Sequence, residues 1–548
     1  MPPYFSTPDF SAQKSRRFGK KQVLGIVAAV AALALILTVV LNFNFLYGSM
    51  IRIFGSDADY FKYVEVHSFK QYSDTASNFY DSWLLKNATQ DQSVQTTLNW
   101  HIGDSAFDLI DTLGNTGDLS WLNEIELEVD ANTAKDLNAM EVGLNISNQD
   151  ILTLSVIVDY LSEQMFLSVP ELSDDVLTTD ISEVFGTGTS AGLSESFQLT
   201  SQLEDILPSK STFYKLLVKY VDIALDDIDN VSSKKHTLDI DGMSQKCTAL
   251  ESRITEKDLA NMLKSVLRAM KKDEEIQSII ASLQDGLADA ELLYDDEIDL
   301  YEEFIDQIDL MLDDAEELRN RASTDPLLTV TSYVNGSHEV IGRKLVANEE
   351  TVLSYATVQN GKQFASEVQL DSGSVMITGS GTQDHDKTDG DYMLCIDGID
   401  YLSFEVEDFD TETLQQGYPN GTFRFSPQKQ LLSELGLDRS SLTMLSVLDP
   451  VLELKYETSE EAASLEADIL NQDELFVGFT VKSDMSNGKS IKAPTENLVS
   501  VNDEVALERF VRSLDFNKVL RKLEETDLPS DIIRMIQFTI DDLEQSMR

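Results

Sequence analysis

Ser93-Val-Gln-Thr-Thr-Leu-Asn-Trp-His-Ile102 is the stretch that decides the fold. Val94, Thr96, Leu98, Trp100 and Ile102 fall on alternate positions, with polar residues between them. Successive side chains of a strand point to opposite faces, so this reads as a strand with one apolar and one wet side. The period of two continues downstream. Ile125, Leu127 and Val129 alternate with Glu124, Glu126, Glu128 and Asp130, and Met140, Val142, Leu144 and Ile146 follow, then 151–158 and 164–169. Such a run predicts an antiparallel meander of about five strands, covered on a single side.

Upstream the period is that of a helix. Over residues 57–86, Tyr72, Ala76, Phe79 and Trp83 step by four, three and four along one apolar face. Before it stands Val23-Leu-Gly-Ile-Val-Ala-Ala-Val-Ala-Ala-Leu-Ala-Leu-Ile-Leu-Thr-Val-Val-Leu41, which carries no charge. As a helix it is about 28 Å long, close to the hydrocarbon thickness of a bilayer. Lys14, Arg16, Arg17, Lys20 and Lys21 precede it against one acid, Asp9. Basic flanks stay in the cytoplasm, so the head is inside and the bulk of the chain outside. Phe43, Phe45 and Tyr47 suit the headgroup belt of a retained anchor better than a cleavage site.

The whole chain carries a formal charge of −54. That argues against nucleic acid and anionic membrane surfaces as partners, since both would be repelled. Cys247 and Cys395 both fall in stretches that read as strands. Outside the cell a bridge between them is allowed and is worth about 4–5 kcal/mol in the chain-entropy model; two buried free thiols are the alternative. Two cysteines and five scattered histidines do not make a zinc site.

Residues 170–201 are rich in Ser, Thr, Asp and Gly and read as a loop. A helix is expected over 212–228, then a hairpin of 237–240 with 246–254 turned at Asp241-Gly242, then a helix to about 272 capped by Thr255. The most regular helix spans 287–318, with Tyr294, Ile298, Tyr301, Ile305, Ile308, Leu312 and Ala315 in line and acids nearly everywhere else. Its acids repel one another at i,i+4, as Asp295 with Asp299 and Asp299 with Glu303, so something must cover its apolar face. The basic helix after Thr255, with Lys257, Lys264, Arg268, Lys271 and Lys272, is a partner within the chain; a separate basic protein or a second copy is the other.

After Pro326, turn signals recur at Asn335-Gly336, Asn348-Glu349, Asn360-Gly361, Ser372-Gly373 and Asp397-Gly398, predicting a second meander to about Phe409. Beyond it, strands are expected at 451–456 and 475–481 around a helix at 459–470. Helices follow to Leu514, capped by Asn502, and over 531–543. Arg509, Arg512, Lys518, Arg521, Lys522 and Arg534 make this end a dock for the acidic helix.

Motifs for chemistry are weak. Gly188-Thr-Ser190-Ala-Gly192 matches the nucleophile-elbow pattern but sits in a polar loop without a buried strand before it. Ser426-Pro-Gln-Lys429 lacks its companion motifs. Asp384, Asp386, Asp389 and Asp391 resemble a calcium loop, yet position six is Asp389 rather than glycine, so a hairpin tip is the simpler reading. Asn87, Asn145, Asn230, Asn335 and Asn420 head glycosylation sequons. No catalytic, cofactor-binding or metal-ligating residue is assigned.

Asp241-Gly-Met-Ser-Gln-Lys-Cys-Thr248 running into Thr255-Glu-Lys-Asp-Leu-Ala260, and Val334-Asn-Gly-Ser-His-Glu-Val-Ile-Gly-Arg-Lys-Leu345, carry a resemblance. With the basic head and single anchor, the chain resembles uncharacterised single-pass membrane-anchored exported proteins of Gram-positive bacteria. In layout it is loosely similar to half-barrel envelope lipoprotein carriers, which implies a sheet closed by helices and a hydrophobic ligand.

The expectation is therefore an α+β chain. One transmembrane helix precedes a curved antiparallel β-meander sheet, or two packed sheets, with helices against the concave side. The parts are a cytoplasmic head (1–21), an anchor (22–47), an extracytoplasmic sheet-and-helix domain (48–410) and a mixed, mainly helical C-terminal region (411–548). The expected function is a membrane-tethered, non-enzymatic binding module at the cell membrane for a lipid or similar ligand. A cell-surface scaffold using the acidic helix against a basic protein is the alternative.

Overall fold

The computed structural model describes residues 55–86, 92–114, 119–134, 137–181, 206–289, 299–321, 323, 325–434, 449–488 and 491–547. The expected head and anchor, 1–47, lie outside these residues, as do Ser190 and most of the expected polar loop. Among the described residues no helix is long and apolar enough to cross a membrane.

Helix α1 (Asp57–Phe79) starts at a reciprocal cap in which Ser56 and Asp59 each satisfy the other's backbone N–H. It continues as a π-helical stretch, Tyr80–Leu85. The helix stands where its period placed it, but its buried face differs. Tyr60, Phe61, Val64 and Phe69 are buried together with Glu65, Ser68, Ser73 and Ser77, whereas Ala76 is exposed.

The first meander is β1 (Gln92–Ile102), β2 (Ile125–Ala134), β3 (Leu137–Ile146), β4 (Gln149–Asp159), β5 (Gln164–Ser168) and β6 (Val176–Asp180), with α2 (Asp104–Gly114) after β1. Helix α3 (Lys210–Leu225) leads into the hairpin of β7 (Val231–Ile240) and β8 (Met243–Thr255). Its two turn residues, Asp241 and Gly242, have φ of 47° and 75°, the twin positive values a tight hairpin needs. Thr255 caps α4 (Glu256–Met270), and Asp258 reciprocates. Helices α5 (Glu274–Asp289) and α6 (Leu300–Arg321) replace the expected single helix over 287–318; Tyr294 and Ile298 fall outside the described residues.

The second meander is β9 (Pro326–Val334), β10 (Val340–Ala347), β11 (Glu350–Asn360), β12 (Gln363–Leu370), β13 (Val375–Asp384), β14 (Lys387–Ile396) and β15 (Ile399–Asp410). Even the glycine-free turn works, with Asn348 and Glu349 at φ 51° and 70°. After the short α7 (Thr411–Gln415) come β16 (Gly421–Pro427), α8 (Lys429–Glu434), β17 (Pro450–Thr458), β18 (Ala462–Asn471) and β19 (Glu474–Asn487). The strand β20 (Leu498–Ser500) and helices α9 (Glu504–Ser513), α10 (Phe516–Glu524) and α11 (Ser530–Met547) end the chain.

One expectation needs correction here. The segment 459–470, expected as a helix, falls mostly in β18, so strands β16–β19 fill most of the described residues from 421 to 487 before helices α9–α11 follow. Ala462-Ala-Ser-Leu-Glu-Ala-Asp-Ile has helix-forming composition. In the fold its alternate residues Ala463, Leu465, Ala467 and Ile469 are paired on both sides, and pairing overrides propensity.

Among the described residues twenty strands form one sheet. Pairing runs β6-β5-β4-β3-β2-β1, then β1 to β19, then back through β18, β17, β16, β15 and on to β7, all antiparallel. β20 adds in parallel beside β6. The two meanders are thus halves of a single sheet, joined through β1 and β19. The sheet curls hard at its β7 end, where Gln359 N–H of β11 donates to the Gln245 carboxamide of β8 at 2.8 Å.

Helices hold its two ends. Tyr60, Phe61, Val64 and Phe69 of α1 and Val221 and Leu225 of α3 pack on Leu250, Ile254, Val330, Val334 and Val340 of β8–β10. At the other end Leu523 and Leu528 pack with Ile146 and Ile151. The acidic α6 lies along α4, with Ile308 and Ala315 buried, and Lys264 of α4 and Lys271 just past its end pair with Glu316 and Asp309. Its cover is therefore within the chain. The basic C-terminal end, expected to dock that helix, instead sits by β4, where Lys522 pairs with Glu171 at 3.4 Å.

Candidate functional site

Directly paired residues of neighbouring strands share a face, so the register traces each face across the sheet. One row runs Leu144-Leu127-Leu98-Val481-Leu465-Tyr456. The next runs Trp100-Phe479-Ala467-Leu454-Phe423-Val406. A third runs Ile102-Val477-Ile469-Leu452-Phe425-Phe404-Tyr392. A fourth, Leu402-Leu394-Ile377-Val368-Tyr355, reaches Arg343 under α1. The same side of the sheet is apolar from β3 to β12.

This face is half-buried rather than buried. Trp100, Leu452 and Ile469 are 41%, 40% and 41% exposed, and Phe404, Phe423, Phe425, Tyr392 and Phe479 are intermediate. Its rings meet in three groups spread across the strands. Trp100 meets Phe479 at 6.1 Å, Phe423 meets Tyr456 at 6.1 Å and Phe409 at 5.7 Å, and Tyr392, Phe404 and Phe425 stack in sequence. Gly379 lies opposite Tyr392, and a Cβ there would stand 2.0 Å from the tyrosine ring. The missing side chain is what lets the ring lie flat on the sheet.

At β11–β12 the reverse face carries Ala356, Val358 and Ala365, buried against Leu238 and Ile240 of the curled β7–β8, but along β2, β17 and β18 it is polar and acidic. Glu126, Glu128 and Asp130 of β2, Glu453 and Glu457 of β17, and Glu466 and Asp468 of β18 sit there. Arg424 is pinned between Glu453 at 2.5 Å and Glu407 at 3.1 Å, and His101 Nε2 meets Thr480 Oγ1 at 2.7 Å. Burial, then the neighbouring Glu466, holds the Asp468 carboxyl above the usual range.

Where α1 crosses the face lies a buried polar node. The guanidinium of Arg343 donates to Glu65 Oε2 at 2.8 Å, Ser68 Oγ at 2.7 Å and Tyr355 OH at 2.6 Å, and Ser332 Oγ donates to Glu65 Oε1 at 2.5 Å. Burial works against the guanidinium's charge, but Glu65 and Tyr355 together outweigh it, and its pKa lies above the ordinary value. Burial also pushes the Tyr355 hydroxyl up to about 12. This node ties α1 to the sheet. Beside it is a cavity of about 260 Å³ lined by Gln71, Glu339, Tyr355 and Gln359 among others.

The sequence motifs do not assemble into chemistry. Ser426 is a β16 residue whose carbonyl accepts from Ser403 Oγ at 3.4 Å, and Lys429 opens α8. Asp384 pairs with Lys362, Asp389 Oδ1 accepts from Asp408 N–H, and His385-Asp386 is a hairpin turn. Among the described residues no group of three or more His, Cys, Asp or Glu could hold a metal ion. Cys247 and Cys395 are both buried free thiols, not a disulfide. A hydrogen bond to Asp400, then burial, pushes the Cys395 thiol up to about 11. Sequence reading missed the Glu65–Arg343 node entirely, and it saw the apolar face only as separate alternating strands. The side-chain amides of the sequon residues Asn335 and Asn420 donate to Glu339 and to the Thr458 carbonyl. Comparison with protein-family models, curated proteins and solved structures finds nothing that matches the chain.

Proposed function

We propose that this chain is a membrane-tethered binding module whose apolar sheet face holds the hydrocarbon of a lipid. The reading rests on one observation: an aromatic and aliphatic face continuous from β3 to β12, left half-exposed although the chain has ample helix to cover it. Contiguous apolar surface on this scale marks a binding site. Protein interfaces carry about one hydrogen bond per 100–200 Å². Rows such as Trp100-Phe479-Ala467-Leu454-Phe423-Val406 offer no side-chain donor but the Trp100 indole, which favours hydrocarbon over a protein surface.

The module sits outside the cell membrane on the anchor at 22–47, with its N-terminus in the cytoplasm. Its role is binding, not turnover. Nucleic acid is no partner of so acidic a chain. The scaffold reading draws less support, because the acidic helix α6 already has its apolar side engaged by α4 and two of its acids paired with Lys264 and Lys271.

The test uses the full chain in its native membrane with a photoactivatable diazirine acyl lipid. Crosslinks mapped by peptide mass spectrometry should fall on β12–β19 and β1, and should be lost in Phe479→Glu and Leu454→Glu. Crosslinks confined to residues 22–47 would overturn the reading.

A further inference from the structure

We infer that the apolar face seats more than one lipid molecule at a time, in file across the strands. This rests on the binding reading above and concerns its capacity.

The argument is one of length. The α1–α3 pair covers the face at β8–β10, and the C-terminal helices close it near β3–β4. Between them lie β12, β13, β14, β15, β16, β17, β18, β19 and β1 in unbroken pairing. Nine strands make eight spacings of about 4.8 Å, or roughly 38 Å. A leaflet's acyl chain spans about half of the roughly 30 Å hydrocarbon core, that is, about 15 Å. One chain laid across the strands therefore covers well under half of the face. Laid along the strands, chains pack side by side and more are needed to cover it. Either way a single lipid would leave most of the face in water, at about 25 cal/mol per Å² of apolar surface.

The ends of the open stretch behave alike. Trp100 on β1 and Leu370 on β12 are 41% and 42% exposed. Nothing along the rows between them interrupts the apolar surface with a charge: the residues there are Phe479, Ala467, Leu454, Phe423 and Val406, then Phe425, Phe404 and Tyr392. A single-site carrier needs a wall that ends its pocket, and these rows contain none.

The experiment places photocrosslinkers at both ends of the full chain in its native membrane. Trp100→p-benzoylphenylalanine, Leu370→p-benzoylphenylalanine and the double variant are irradiated and their intact masses measured. Both positions are well exposed, so the probes fit without disturbing a core. Each single variant should gain one lipid mass, and the double variant should gain two on the same molecule. One lipid mass at most in the double variant, with each single still capturing, would overturn the multiple occupancy while leaving lipid binding intact. Capture at neither position would remove both, and a concentration-dependent crosslinked dimer would instead assign the face to a second copy of the chain.

Discussion

Removing Glu65 should loosen α1 from the sheet by several kcal/mol. Its carboxylate and the Arg343 guanidinium are 7% and 6% exposed, with N and O at 2.8 Å. With charge centres about 4 Å apart and an effective dielectric near 20, their attraction is about 4 kcal/mol. Glu65→Leu strands a buried cation, for which about 3–5 kcal/mol is typical. The double variant Glu65→Leu with Arg343→Met removes both charges. It should cost less than either single change. The assay is amide hydrogen exchange read by mass spectrometry on peptides from α1 and β10. At 1.4 kcal/mol per tenfold, the single variants should exchange roughly 100-fold or more faster there, with much of that recovered in the double. A single variant within about threefold of the parent, or a double whose loss equals the sum of the singles, would show that the node does not hold the helix.

Gly379→Ala forces the Tyr392 ring off the sheet and should lower stability by about 1–3 kcal/mol in urea unfolding, while the exposed turn residue Gly336, with open space around it, should accept alanine with little change. Thr255→Ala removes the hydroxyl that accepts from the Asp258 N–H, leaves the backbone arm to Asp258 in place, and should cost about 1 kcal/mol, seen as faster exchange in the first turn of α4. Burial, then Lys70, lowers the His67 pKa to about 4 from an ordinary 6.5. In that window the unfolded chain binds the proton and the folded one does not. Stability should therefore fall as pH drops from about 6.5 toward 4, and be flat above; His67→Gln should flatten that slope in thermal melts across pH. Because Cys247 and Cys395 are free and buried, reductant should leave the melting temperature unchanged, and maleimide should label both only after unfolding.

Local rules placed much of the fold. A pair such as Asp241-Gly242 or Asp397-Gly398 supplies two positive φ values within two residues, and Thr255 with Asp258 supplies a cap within four; no distant contact is needed for either. Alternation in Val94, Leu98, Trp100 and Ile102 likewise says that one side of the strand is apolar. The face of α1 was harder, because serines as well as aromatics are buried there, and hydrophobic spacing does not mark a buried serine.

What the amino-acid order determined by itself is therefore most of the strands, the tight turns such as Asp241-Gly242, the Thr255 cap, and which side of each alternating strand avoids water. Tertiary structure alone decided which strands became neighbours. The pairing of β1 with β19 joins Trp100 to Phe479, and Glu65 finds Arg343 across 278 residues. Such non-local partners are selected by the collective burial and hydrogen bonding of the assembled sheet, once loop-closure entropy has been overcome. That competition turned the helix-forming residues of β18 into strand. It also merged short alternating patterns into one apolar face, because each strand's pattern specifies a side but not the neighbour that extends it.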